Sequence, residues 1–521
     1  MSADVNMSAG STDTVDHGKV VVRCPADGSV VGSVPAMSTA EVADLARRLR
    51  AAQPEWERLG SEGRSKWLYA WCDWILDNQD HLLRLVQLEG GKSWGDASIE
   101  ALASTQAIKY FADNVASFLA DKRPRPSGLP NKVKRLRVRY RPHQLVGTVM
   151  PWNYPLAMPM LDIPAALAAG AAVLSKPSEV TPLAWQAAVE GWNEIGAPPV
   201  LGCATGRGET GAAVVDHVDM IQFTGSTKTG RMVAARAGER LIPCSLELGG
   251  KDAMIVLADA DLERAANGAV WGGMFNCGQS CTAIERVYVE EAVYDEFVRL
   301  VVEKTARLRQ GMDAPHSFEA DIGALANEAQ REIVQRQVAD ALERGARVLT
   351  GGRAAAGEGC MYEATVLVDV DHSMACMNEE TFGPTLPIMK VADQDEAVRF
   401  ANDSAYGLSA SIWTKDHEVA YELSQRLEVG AVNVNNAMLN VFQFPVPHSG
   451  WKDSGVGARF GGEQGVLKYC RAQAYVTDRI EAKSELQWYP YTRPIGRLQA
   501  RMVNLLAARD WRRRLGRSSG R

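Results

Sequence analysis

The chain has 521 residues, of which 46% are hydrophobic and 23% charged, with a net charge of −6. That length suits two or three domains, the composition is ordinary for a soluble globular protein, and the mild acidity implies no general attraction to nucleic acid. No apolar run is long enough to span a bilayer. The Ser-, Asp- and Gly-rich residues 1–18 lack the apolar stretch of a signal peptide and read as a disordered tail.

Residues 19–35 read as a hairpin around Asp27-Gly28. Residues 39–121 are helix-rich, with Leu45, Leu49, Trp56, Trp67, Trp71 and Trp74 on apolar faces and expected in the core. Residues 134–149 open with the alternation Leu136-Arg137-Val138-Arg139-Tyr140 and read as a strand pair. From 150 to 250 short apolar strands, at 171–174 and 220–223, alternate with helices. That is the pattern of a parallel sheet with crossover helices. A second α/β series runs from 252 to 445 and reads as a second domain with Cys281 at its edge.

The nine cysteines include no Cys-x-x-Cys pair, since Cys277 and Cys281 stand four apart. Zinc spacing is therefore absent and no metal is expected. The odd count fits a reducing cytoplasm better than a disulfide framework. Most of these cysteines read as small apolar residues. Cys281 differs in its surroundings, Phe275-Asn276-Cys277-Gly278-Gln279-Ser280-Cys281-Thr282. A glycine lets backbone approach a substrate, and nearby N–H groups favour a thiolate, the form that attacks.

Three further segments accompany it: Pro151-Trp152-Asn153-Tyr154-Pro155, Glu247-Leu248-Gly249-Gly250-Lys251 and Glu379-Glu380-Thr381-Phe382-Gly383-Pro384. In their order and approximate spacing these resemble the aldehyde dehydrogenase superfamily, from about residue 19 to about residue 480. The resemblance implies an α/β fold: a Rossmann-type NAD-binding domain (19–132 and 150–249), an α/β catalytic domain (250–446) and a small β oligomerisation domain (133–149 and 470–480). It also implies a homodimer or homotetramer. An ordinary edge hairpin is the alternative reading of those last strands.

By the same resemblance Cys281 attacks the aldehyde, Asn153 and the Cys281 backbone N–H stabilise the oxyanion, and Glu247 activates water to hydrolyse the thioester, from a Leu-Gly-Gly turn flexible enough to swing. Glu463, in Phe460-Gly461-Gly462-Glu463, resembles an assisting second acid. Trp152, Gly225 and Ser226 resemble cofactor contacts, as do Lys176 at the adenosine ribose and Glu380 with Phe382 at the nicotinamide ribose. On its own, Thr224-Gly225-Ser226 is equally a plain strand-to-helix turn. Glu179 matches the residue that faces the ribose 2′-hydroxyl in NAD-preferring relatives. A carboxylate accepts hydrogen bonds there and repels a 2′-phosphate, so NAD is expected over NADP.

The sequence departs from common relatives at Asp162, where a basic residue is usual, and at His448, where an aromatic is usual. Asp162 reads either as a channel residue or as a buried structural acid. The expected substrate is a broad apolar or aromatic aldehyde. The motif set is also similar to actinobacterial-type succinate-semialdehyde dehydrogenases, which are the alternative. A CoA-acylating enzyme or a non-catalytic binding protein are further alternatives, and Glu247 argues for hydrolysis.

Residues 481–521 form a basic extension with Leu498, Met502, Leu505 and Leu506 on one helical face. It reads either as a helix packed on its own subunit or a neighbour, or as a peripheral membrane contact of an otherwise cytoplasmic protein through residues 484–521.

Overall fold

The computed structural model describes residues 18–515 apart from 356, 358, 486 and 487. Residues 1–17 of the expected tail lie outside the described residues. Contacts divide the chain into two compact units, residues 1–118 with 142–470, and residues 119–141 with 471–521.

The larger unit is built on two large sheets, of six and seven strands, beside two small two-stranded ones. The first has six strands in the order Gly455–Val456, Cys244–Glu247, Met220–Thr224, Leu145–Val149, Ala172–Lys176 and Leu201–Cys203. Its pairings are parallel except at the Gly455–Val456 edge. The chain starts at Leu145–Val149, builds outward through two strands, and then crosses back to add Met220–Thr224 on the other side. A doubly wound sheet opens its ligand crevice at such a reversal, beyond the strands' carboxyl ends. The second sheet runs Arg347–Thr350, Thr365–Val368, Thr385–Val391, Ile284–Glu290, Asp252–Val256, Ser409–Trp413 and Ala431–Val434. Only its Arg347–Thr350 edge is antiparallel. Several strands in both sheets are buried throughout, including Ala172–Lys176, Met220–Thr224 and Asp252–Val256, which is why they read as continuous apolar runs.

Four helices, Thr39–Arg58, Gly60–Asp77, Gln79–Gly90 and Trp94–Phe118, fill the segment expected to be helical. Trp56 and Trp71 are fully buried against Trp192 at ring separations of 5.7 and 5.4 Å. Trp67 and Trp74 are only partly buried. The expected hairpin is present as Lys19–Arg23 and Val30–Pro35.

One expectation changes. Residues 134–149 are not a single strand pair. Leu145–Val149 is a central strand of the first sheet, and its unbroken burial gave no alternation to distinguish it. Lys134–Pro142 pairs instead with Cys470–Asp478 in a two-stranded ribbon. Most of that ribbon falls in the smaller unit, which continues into the helix Arg493–Ala507. No helix among the described residues is long and apolar enough to cross a membrane.

The helix Leu262–Met274 ends in a left-handed bend, with φ of 54° at Asn276, 57° at Cys277 and 71° at Gly278. A Cβ on Gly278 would lie 2.1 Å from the Gly383 carbonyl oxygen. Gly278→Ala should therefore lower the thermal unfolding midpoint and activity together. Gly238→Ala, in open space within the helix Thr227–Glu239, should be neutral or slightly stabilising. Equal midpoints for the two variants would contradict this account of the bend.

Candidate active site

Three chain segments leave the carboxyl ends of strands in the first sheet and converge. Pro151, Trp152 and Asn153 follow Leu145–Val149. Gly225 and Ser226 follow Met220–Thr224, and Leu248 and Gly249 follow Cys244–Glu247. With Cys281, Glu380 and Phe382 they line a cavity. Trp152 meets Phe382 edge to face at 5.4 Å. The Ser226 side chain accepts the Thr229 N–H and caps the following helix, whose first N–H groups suit an anion. The buried Thr224 hydroxyl has no hydrogen-bond partner among the described residues. Polar groups set in an otherwise apolar wall, a capped helix start and an aromatic bracket fit a dinucleotide.

Lys176 and Glu179 end the neighbouring strand and pair with each other at 2.8 Å. Neither lines that cavity. Burial raises the Glu179 carboxyl, but the Lys176 ammonium outweighs it and holds the group below its ordinary value. Glu380 is pushed up to about 8, first by burial and then by Glu285.

A second cavity meets the first at Cys281 and Met158, which line both. Its wall is mostly apolar: Ile99, Tyr154, Leu161, Phe275, Val441 and Phe442 contribute. The two charged residues on it are already engaged. Glu100 pairs with Lys92 at 2.6 Å and accepts the Leu156 and Ala157 N–H groups. Arg459 donates to Glu247 Oε2 at 2.6 Å and lies 3.5 Å from Asp162.

Around Cys281 the chain is tightly held. The Asp96 carboxylate accepts the Asn276 N–H at 3.1 Å. The Gln279 side chain donates to the Asn276 and Ala324 carbonyls and accepts the Ala326 N–H. Asn153 Nδ2 donates to the Gln279 carbonyl at 3.0 Å, while Lys92 and Asn276 donate to the Asn153 carbonyl. The Asn153 amide is thus fixed within the Cys281 loop and keeps one N–H to offer.

Glu247 is fully buried. Burial alone would raise its carboxyl, but Arg459 and then His448, 3.5 Å away, bring it down to about 2. The Cys281 thiol is pushed well above its ordinary value, first by burial and then by the Glu247 carboxylate. The resting thiol is therefore neutral, not the thiolate its neighbours suggested in the sequence. The Leu-Gly-Gly turn is also packed rather than loose. A Cβ on Gly250 would sit 2.5 Å from the Cys281 carbonyl oxygen, and one on Gly249 would sit 2.6 Å from Glu380. Both glycines serve close approach.

Asp162 is a buried structural acid. It accepts from Lys468 at 3.0 Å and from the Tyr469 hydroxyl at 3.2 Å, and it does not line the apolar cavity. His448 stacks on Phe460 at 4.7 Å. Glu463 begins the short helix Gly462–Leu467 and lines neither cavity. From the same stretch it is Arg459 that enters the site. Both are charged residues beside glycines, and only the backbone path decides which points inward.

Residues 12–475 match the model of the aldehyde dehydrogenase family. The chain belongs to that family. It is 35% identical over 475 residues to 4,4'-diapolycopene aldehyde oxidase from a Methylomonas species, covering 90% of this chain and 87% of the relative. It is 37% identical over 457 residues to a protein provisionally named succinate-semialdehyde dehydrogenase (NADP+) 2 from Mycobacterium ulcerans, covering 87% of each. Among solved structures, lactaldehyde dehydrogenase from Escherichia coli superimposes with a TM-score of 0.84 at 33% identity, covering 88% of this chain and 96% of that one. The protein is an aldehyde-oxidising oxidoreductase with an α/β fold of this family.

Arg459→Met should leave Glu247 buried without its cation, a loss that costs about 3–5 kcal/mol in buried pairs. A carboxyl held low stabilises the fold above its unfolded value and loses that contribution as pH falls toward about 2. The variant's deficit in unfolding midpoint should thus be larger at neutral pH than near pH 5, where the orphaned carboxyl takes up a proton. A deficit independent of pH would contradict the pairing.

Proposed function

We propose that this protein oxidises an apolar or aromatic aldehyde to its carboxylic acid through a covalent Cys281 thioester, with NAD as hydride acceptor. The observation that carries this reading is the position of Cys281 where an almost wholly apolar cavity meets one that also carries Asn153, Thr224, Ser226 and Glu380. The wall of the apolar cavity has no uncommitted cation for a distal carboxylate, because Arg459 is held by Glu247 and Asp162. That favours an apolar aldehyde over succinate semialdehyde.

In this mechanism the aldehyde lies in the apolar cavity and Cys281 Sγ bonds to its carbonyl carbon as the thiol proton passes to solvent water. The free N–H of Asn153 and the Cys281 backbone N–H receive the negative oxygen. A misplaced donor at such a site costs about a hundredfold or more in rate, which is why the Asn153 amide is pinned. A nicotinamide dinucleotide in the cavity beside Trp152 would supply the hydride acceptor that lets the carbonyl re-form as a thioester. Trp152, Gly225, Ser226, Glu380 and Phe382 would hold it there, with Lys176 and Glu179 at the adenosine ribose. Water then attacks the thioester with Glu247 taking its proton, and the acid and the thiol separate. The Arg459 and His448 contacts keep Glu247 ionised and waiting, and they must loosen for it to act as a base.

The second reading is an NADP-linked succinate-semialdehyde dehydrogenase. It is favoured by the relative whose name specifies that activity. The Glu179 carboxylate beside the proposed adenosine ribose argues against a 2′-phosphate, although Lys176 partly offsets its charge. We also read the ribbon of Lys134–Pro142 and Cys470–Asp478 as a homo-oligomer contact, because Tyr475 and Val476 stand exposed on it. The nine free cysteines suit the cytoplasm.

A panel of aldehydes with each cofactor, read by absorbance of the reduced nicotinamide, tests the first reading. Medium-chain and aromatic aldehydes with NAD should give the highest kcat/KM, without CoA. Glu247→Gln should keep a first-turnover burst and lose at least about tenfold in steady-state rate. Preference for succinate semialdehyde with NADP would establish the second reading instead. Light scattering should give a dimer or tetramer that Val476→Glu dissociates, and a wild-type monomer would remove the ribbon's role.

A further inference from the structure

The helix Arg493–Ala507 is unusual in having no buried residue. Thr492 caps it by accepting the Ile495 N–H, and Pro494 sits in its first turn, so the chain specifies this helix locally. Ile495, Leu498, Met502, Leu505 and Leu506 recur at helical spacing along one side. Leu498, Leu505 and Leu506 are 50%, 55% and 43% exposed. Arg493, Arg497 and Arg501 occupy the opposite side, with Asn504 between them and the carboxyl end. A helix with an apolar stripe normally buries it.

The flanking sequence narrows what could cover that stripe. Residues 488–521 contain nine arginines and one acidic residue, Asp510, in a chain whose net charge is −6. Asp510 caps the next short helix, Trp511–Arg514. Trp488, Tyr489, Tyr491 and Trp511 are all exposed, at 55%, 80%, 68% and 59%. Tryptophan and tyrosine beside an amphipathic segment suit the boundary between headgroups and acyl chains.

We propose that this carboxyl-terminal segment is a peripheral docking element for an anionic lipid surface. The apolar stripe sinks to the acyl boundary, the aromatic rings lie at headgroup level and the arginines meet lipid phosphates and carboxylates. Charge favours this partner over a second copy of the same helix, because self-pairing would bring arginine clusters together with almost no acid between them. A nucleic acid would satisfy the arginines and leave the leucines in water. Lipid binding by this helix is independent of which aldehyde Cys281 takes.

Co-sedimentation of the full chain with vesicles decides it. With phosphatidylserine-containing vesicles the protein should pellet at least about tenfold more strongly than with phosphatidylcholine alone, and high salt should release it. Leu498→Glu with Leu505→Glu should abolish pelleting and leave turnover of a water-soluble aldehyde unchanged. Arg497→Gln with Arg501→Gln should weaken pelleting about twenty-five-fold, at about fivefold per arginine. Wild-type protein that stays in the supernatant with anionic vesicles would overturn the proposal. So would a leucine variant that pellets like wild type, or one that changes oligomeric state while lipid binding persists.

Discussion

Glu247 is fully buried and Cys281 partly buried beside it, and two adjacent acids shielded from water cannot both be charged without a cation. Arg459 is that cation. It fixes which group is ionised: the carboxylate is charged and the thiol is neutral. Everything around the pair serves to keep this geometry dry and close. Gly249 and Gly250 let the Glu247 turn press against Cys281 and Glu380, and the left-handed bend at residues 276–278 brings the sulfur to the junction of the two cavities. Burial of this kind is costly, and its use at a cleft marks a functional site.

The two sheets explain why chemistry collects at this point. Asn153, Gly225 and Glu247 come from three strand ends on both sides of the reversal in the first sheet. Cys281 comes from the second sheet's side, just before Ile284–Glu290. A cavity bounded by strand ends and a helix start, with Thr224, Ser226 and Glu380 on its wall, suits a phosphate-bearing ligand. An apolar cavity bounded by Ile99, Leu161 and Phe442 suits an aldehyde. The sulfur has to reach both, and it does.

Much of this was legible in the sequence. The alternating apolar strands announced two α/β sheets, and the four motif segments contain Cys281, Asn153, Glu247, Glu380 and Phe382, which converge with Gly225 and Ser226. What was hidden depends on three-dimensional pairing. Leu145–Val149 lost its identity because a strand buried on both faces shows no alternation. Arg459 and Glu463 are alternative charged residues four apart, and no local pattern says which one turns inward. Asp162 was ambiguous until Lys468 and Tyr469 were seen to hold it. Asp96 and Gln279 support the Cys281 loop through long-range contacts to Asn276, Ala324 and Ala326, and such contacts leave no trace in spacing.

The central claim is a covalent bond between one sulfur and the substrate carbon. Rapid acid quenching of the Glu247→Gln protein with NAD and an aromatic aldehyde, followed by peptide mass spectrometry, observes that bond directly. The account predicts one acyl group per chain, on the peptide containing Cys281 and absent from Cys277. An acyl group elsewhere, or product formed with no adduct at any quench time, would contradict it.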